Sequence, residues 1–178
     1  MVGKVTSNEK ASASILPAIM GYSRYESRNE ALQKVAAALA GNEQSWDGNE
    51  ATRWGNTLEP TVLAEMATRL SIKHDPAIDY AMVHKSIPLE ASLDAIGFGL
   101  GQTVETDPDR GIFVMNENGS IVLEGNGCLE SKVTSVRPED RPDLARGPLQ
   151  LQAQMMCAGY SWGAIGVLYQ GICLRVFL

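Results

Sequence analysis

Apolar residues recur at two periods along this chain, and the change falls near residue 72. Before it, the spacing is helical. "ASASILPAIM" (11–20) offers Ser12 and Ser14 as hydroxyls at a helix start and Gly21 as the stop. "RNEALQKVAAALAG" (28–41) is rich in helix formers, with Ser27 as its cap and Gly41 as its end. "NEQSWDGNE" (42–50) reads as a loop. In "TRWGNTLEPTVLAEMATRLS" (52–71), Leu58, Val62, Leu63, Met66 and Leu70 keep close to a 3.6-residue period, which predicts a helix with Glu59 near its start.

Beyond residue 72, short apolar segments alternate with Gly, Pro, Asn and Asp. "IDYAMVH", "LEASLDAIGFG", "GIFVMN" and "SIVLEG" read as strands. "NENG" between the last two predicts a hairpin turn, because Asn and Gly accept positive φ. "GCLESKV" (127–133) adds a strand on which Glu130 and Lys132 share one face while Leu129, Ser131 and Val133 share the other. "RPEDRPDLARGP" (137–148), with its prolines and balanced charge, reads as an exposed, mobile loop. "LQLQAQMMCAG" (149–159) predicts a helix closed by Gly159, and "AIGVLYQGICLRVFL" (164–178) one or two buried strands. This order implies an α/β (α+β) fold with a central mixed β-sheet flanked by helices.

Composition narrows the function classes. A chain of 178 residues with 44% hydrophobic content supports one domain, 1–178, with a substantial core. Fifteen Lys and Arg against 21 Asp and Glu leave a net charge of −6, which argues against a protein that coats nucleic acid non-specifically but permits a local basic groove. The first 34 residues are slightly basic, carrying Lys4, Lys10, Arg24, Arg28 and Lys34 against Glu9, Glu26 and Glu30. Cys128, Cys157 and Cys173 lack C-x-x-C spacing and read as reduced core residues, giving neither a disulfide framework nor a zinc site. No apolar run has membrane-spanning length, and "MVGKVTSNEK" lacks the apolar core of an export signal; the expectation is a cytoplasmic protein without a membrane partner.

Three carboxylates stand in apolar or glycine-bordered settings: Glu59, Asp94 in "ASLDAIGFG", and Glu130. A hard cation such as Mg²⁺ takes a few carboxylates and keeps the remaining positions for water and substrate phosphate. Beside such an ion, Lys132 could orient an attacking water or offset developing charge, a combination suited to phosphodiester hydrolysis. Each residue alone also has a plainer reading. Glu130 and Lys132 can be a surface ion pair, Glu59 a carboxylate favoured by a helix N-terminus, Asp94 a turn residue, and the "LQLQAQ" glutamines a polar helix face.

Taken in order, "SASILPAIMGYSRYES", "RWGNTLEPTVLAEMA", "EASLDAIG", "LESK" and "LQLQAQMMCAGYSWGAIGVLY" resemble the successive motifs of the phage-type exonucleases related to lambda exonuclease and the YqaJ recombinases, within the PD-(D/E)XK nuclease superfamily. The resemblance spans residues 11 to 175 and implies a restriction-endonuclease-like core. By that likeness Glu59, Asp94 and Glu130 are metal ligands, the Ser131 carbonyl is a further one, Lys132 is the catalytic lysine, and Gln152 is the glutamine near the phosphate, with Gln150 and Gln154 as neighbours in an open register. Ser14 and Ser92 match hydroxyls that hold a 5′-phosphate. The arginine expected upstream of Ser14 is absent, which leaves Lys4, Lys10, Arg24 or Arg28 to replace it.

Two further departures stand out. Leu93 occupies the place of the motif proline, and "DPDRG" contains a literal Pro-Asp at Pro108 and Asp109 as a rival; Asp94 is preferred for its strand-like apolar flanks. The long spacing from Asp94 to Glu130 implies an insertion at 99–127 carrying an extra hairpin. The function implied is a Mg²⁺-dependent (or Mn²⁺-dependent) 5′-to-3′ exonuclease acting on double-stranded DNA ends in phage-type recombination. With it come a homo-oligomer, a trimer by the family's habit, and a single-strand annealing protein as partner, in the host cytoplasm if phage-encoded. The alternatives are an endonuclease or nickase using the same site, and a non-catalytic scaffold that binds DNA ends.

Overall fold

The structure, a computed structural model, describes residues 10–42, 48–76, 80–144 and 147–178. Lys4, most of the loop at 42–50, the start of "IDYAMVH" and two residues of the loop at 137–148 lie outside the described residues.

The first predicted helix is only partly helical. Ala11–Ser12 form a short strand (β1), Ala13–Ile15 a 3-10 turn, and Leu16–Ile19 one α-turn (α1). Ala11 and Ser12 pair in parallel with a later strand, and that tertiary ladder takes the segment from the helix its composition favours. Helix α2 (Arg28–Leu39) begins as expected: Ser27 Oγ accepts from the Glu30 N–H while the Glu30 carboxylate accepts from the Ser27 N–H, a reciprocal cap. Helix α3 (Glu50–Leu70) starts at Asn49, well before Glu59. Glu59 therefore sits mid-helix beside Pro60, and the helix N-terminus does not account for it.

Six strands form the main sheet, in the order β2 (Lys73–Pro76), β5 (Ala95–Glu105), β7 (Ser120–Thr134), β8 (Trp162–Tyr169), β9 (Cys173–Phe177) and β6 (Ile112–Phe113). The β7–β8 and β6–β9 ladders are parallel and the others antiparallel, so the expected mixed sheet is present. "LEASLDAIGFG" is two strands rather than one: β4 (Leu89–Ala91) joins β1 and β3 (Met82–Val83) in a small second sheet, and Asp94 lies in the bend before β5.

The "NENG" turn forms, but not as a hairpin. Its flanks diverge, because β6 pairs with β9 while β7 pairs with β5 and β8. The central position of β7 decides this: both of its edges are occupied by longer partners than the two residues of β6 could offer. Residues 99–127 lengthen the β5–β7 ladder, which runs from Ala95 opposite Leu129 to Glu105 opposite Ser120 with a bulge at Gly101.

Helices cover the two faces of β8, whose "WGAIGVLY" is buried almost throughout. On one face Trp162 and Ala164 join Leu129 of β7 and Leu63, Met66 and Leu70 of α3. On the other, Ile165 and Val167 join Cys128 of β7 and Leu151 of helix α4 (Pro148–Ala158). Both helices come close because glycines face them. A Cβ on Gly166 would stand 3.0 Å from Val62 Cγ1, and one on Gly163 would stand 2.9 Å from Leu151 Cδ1. The pleat then dictates that Glu130 and Lys132, which alternate with Leu129 and Ser131, point to the α4 side.

Candidate active site

Glu130 is 1% exposed, and both its carboxylate oxygens are held by side chains. The Lys132 ammonium donates to Oε1, as two residues apart on one strand face allows. Gln150 Nε2 also donates to Oε1, at 2.7 Å, and Gln154 Nε2 donates to Oε2, at 2.6 Å. Gln150 Oε1 in turn accepts from Lys132 Nζ at 3.1 Å. The two glutamines are four residues apart on α4 and so share one face of the helix.

Asp94 reaches the same place from the bend before β5. Its Oδ2 accepts the Ser131 backbone N–H at 2.8 Å, which ties the β4–β5 connection to the middle of the Glu130-Ser131-Lys132 run. Burial, and then the charge of Glu130, raise its carboxyl to about 8. Glu59 of α3 is also raised, by burial first and by Glu130 second, with Lys132 opposing. At Lys132, burial works against the charged form, but Glu130 and Asp94 outweigh it and hold the ammonium above its ordinary value. Asp94 and Glu59 therefore both feel the charges of Glu130 and Lys132, although they reach them from the bend before β5 and from α3.

Other expected residues fall elsewhere. Gln152 is exposed, two positions from both Gln150 and Gln154 and on the far side of the helical turn from them. The sequence alignment of motifs pointed to it; the helix face that meets Glu130 belongs to its neighbours. Ser92 comes in through its backbone, its carbonyl accepting from Gln154 Nε2 at 2.9 Å. Ser14 is exposed, with its Oγ 3.0 Å from that of Ser12. Arg24 pairs with Asp143 of the loop at 137–148, at 2.6 Å, and Arg28 is exposed at the start of α2. Asp109 is exposed in a 3-10 turn after β5, next to Arg110, whose backbone carbonyl accepts from Arg69 at the far end of α3. It has no part in the cluster around Glu130. Sequence reasoning missed the part of Gln154 and the burial of Glu90 at 2% exposure; the four-residue spacing of Gln150 and Gln154 was the available signal for the first.

The cluster has the chemistry of a hard-cation site. Glu59, Asp94 and Glu130 are oxygen donors with only one ammonium among them, and two of the three have carboxyls raised by burial and mutual repulsion. Among the described residues, though, no three Asp, Glu, His or Cys side chains are gathered as a ready metal centre, and Glu130 spends its oxygens on Lys132, Gln150 and Gln154. The residues present fit such an ion, provided Glu130 exchanges at least one of these partners for it.

Comparison with known proteins places the chain in a family and a fold. Residues 6–161 match the family model of the YqaJ-like viral recombinase domain. Among solved structures, the alkaline exonuclease LHK-Exo from Laribacter hongkongensis in complex with dAMP superposes with a TM-score of 0.61 at 17% identity, over 94% of this chain and 75% of that one. A second structure of LHK-Exo gives a TM-score of 0.59 at 18% identity, over 93% and 72%. The fold is thus that of these exonucleases. No curated protein matches the chain. The chain belongs to the YqaJ-like viral recombinase family.

Proposed function

We propose that this member of the YqaJ-like family is a divalent-metal-dependent deoxyribonuclease that degrades double-stranded DNA from its ends, 5′ to 3′, with Mg²⁺ as its ion and Mn²⁺ as a substitute. The observation that carries this reading is that Asp94 accepts the backbone N–H of Ser131, the residue between Glu130 and Lys132, while the Lys132 ammonium donates to the Glu130 carboxylate and Glu59 is close enough to feel the charge of both. The name of LHK-Exo, an alkaline exonuclease, supports the choice of reaction.

Asp94 and Glu130 would hold the ion, with Glu59 and the Ser131 carbonyl beside them. When bound, the ion supplies Lewis acidity at a phosphoryl oxygen and lowers the pKa of a neighbouring water. Lys132, whose ammonium Glu130 and Asp94 hold above its ordinary value, is placed to orient the attacking water and to offset charge in the transition state. Gln150, partly exposed and already in contact with Lys132 and Glu130, is placed to orient water or a phosphate oxygen. Gln152 faces solvent and is reassigned from the centre to a contact with DNA outside it.

Double-stranded DNA ends are the proposed substrate, with Ser14, Arg24 and Arg28 as proposed phosphate contacts. A closed ring of identical chains would concentrate these few basic groups around DNA while the acidic exterior remained outside. Such a ring, a trimer by family likeness, and an annealing protein as partner belong to the same proposal. Among the described residues no helix is long and apolar enough to cross a membrane.

The test uses linear duplex DNA with 5′-phosphate or 5′-hydroxyl ends and a covalently closed circle, in Mg²⁺, with wild type and Lys132→Met. Wild type should shorten the linear duplex from its 5′ ends and leave the circle intact, and the variant should lose activity. Cutting of the circle would turn the reading to an endonuclease. Binding of DNA ends with no digestion in Mg²⁺ or Mn²⁺ would leave a scaffold.

A further inference from the structure

Gln154 is 0% exposed, so it cannot touch DNA. Its amide is nonetheless fully used on the nitrogen side, where Nε2 donates at once to Glu130 Oε2 and to the Ser92 carbonyl. Its oxygen, Oε1, is buried without a hydrogen-bond partner. A buried amide oxygen left unpaired is a cost that an apolar side chain of the same volume would avoid, and the helix packs Leu151 and Ala153 into core clusters on either side. Packing therefore does not explain a glutamine here.

The two acceptors do. Ser92 lies two residues before Asp94 in the connection between β4 and β5, and Glu130 lies on β7. One NH₂ group thus bridges the segments that carry the two central carboxylates. The Asp94 bond to the Ser131 N–H closes the same loop of contacts from the other side.

We propose that Gln154 is a positioning residue, which fixes the Glu130 carboxylate relative to the Asp94 bend so that both can meet one divalent ion. The inference rests on the nuclease reading above and adds to it a residue that touches neither substrate nor reacting atoms. Carboxylates that ligate metals are commonly held by such outer partners, and loss of one typically weakens metal affinity about 10-fold to 100-fold.

The experiment compares wild type with Gln154→Met, which keeps the volume but has no N–H to donate. Mn²⁺ binding is measured by calorimetry without DNA, kcat and KM are measured on linear duplex, and folding is checked by circular dichroism. The expected result is a folded variant whose Mn²⁺ affinity falls about tenfold or more, with kcat reduced at limiting Mn²⁺ and KM for DNA within about twofold of wild type. Saturating Mn²⁺ should restore part of the lost kcat, which a general packing defect would not allow. Unchanged Mn²⁺ affinity in a folded variant overturns the proposal, as does a rise in KM for DNA with metal binding intact. Should the Met variant fail to fold, Gln154→Asn, which keeps the amide but draws it back by one carbon, carries the same two opposed outcomes. Wild type that neither binds Mn²⁺ nor degrades DNA sinks the nuclease reading and this one with it. Wild type that does both beside an unaltered variant sinks only this one.

Discussion

Asp94 is a half-buried carboxylate beside a second one, Glu130. Its carboxyl moves from 3.8 to about 8, through burial first and the Glu130 charge second. The folded protein therefore holds a proton there across a range in which the unfolded chain has lost it, so stability without a cation falls as pH rises through that range. Melting in EDTA should show this decline between about pH 4 and about pH 8, and Asp94→Asn should flatten it; a flat wild-type profile would count against the assignment. A second expectation concerns the Glu130–Lys132 pair, in which the lysine side chain is 33% exposed and the glutamate 2%. Lys132→Met leaves a buried carboxylate without its cation. It should cost up to about 3 kcal/mol of stability, the lower end for a broken buried pair because Lys132 keeps some solvent. Adding Glu130→Gln should recover much of that loss, as a double-mutant cycle in denaturant would register.

At the scale of elements, α4 is the part on which the site depends, and Gly163 sets its approach to β8. A side chain there meets Leu151 and Met155, the positions flanking Gln154 on the helix. Gly163→Val should push α4 outward, destabilising by about 1–3 kcal/mol and lowering nuclease activity more than stability alone explains. Ser27→Ala is the matched control. It removes the hydroxyl half of the α2 capping pair at a similar cost of about 1 kcal/mol, yet should leave kcat near wild type, with any effect through the neighbouring Arg28 confined to KM for DNA, because α2 supplies no side chain to the Glu130 cluster. Comparable losses of kcat in the two variants would mean that the cluster is not the catalytic centre. Reading the elements from sequence worked where neighbours along the chain decide the outcome: the Ser27 cap, the Gly159 stop and the buried strands within "AIGVLYQGICLRVFL", the first of which begins two residues earlier, at Trp162. It failed where distant partners compete, as at β1, taken from a helix by pairing with β4, and at the "NENG" turn, whose flanks join different neighbours.

For the molecule as a whole, charge is the governing quantity. The chain carries −6 overall and concentrates three carboxylates against one ammonium at the cluster. A divalent cation should therefore act as a structural ligand as well as a catalytic one. At a hundredfold excess over its Kd it should add about 2.7 kcal/mol to the stability of the folded state, read as an upward shift in Tm that EDTA reverses. Glu130→Gln combined with Asp94→Asn should abolish the shift. A full shift in that double variant would place the ion elsewhere.

Which residues could carry the chemistry was readable along the chain. Acidic side chains in apolar surroundings are conspicuous, and the two-residue period of a strand already put Glu130 and Lys132 on one face. Their assembly was not readable. The contacts that make it join Asp94 to Ser131 across 37 positions and Gln154 to Ser92 across 62. Such contacts depend on strand order and on the rotation of α4 over the sheet, neither of which is encoded in local period. A shift of two residues in helix facing separates Gln152 from Gln150 and Gln154, and only packing against β8 selects between them.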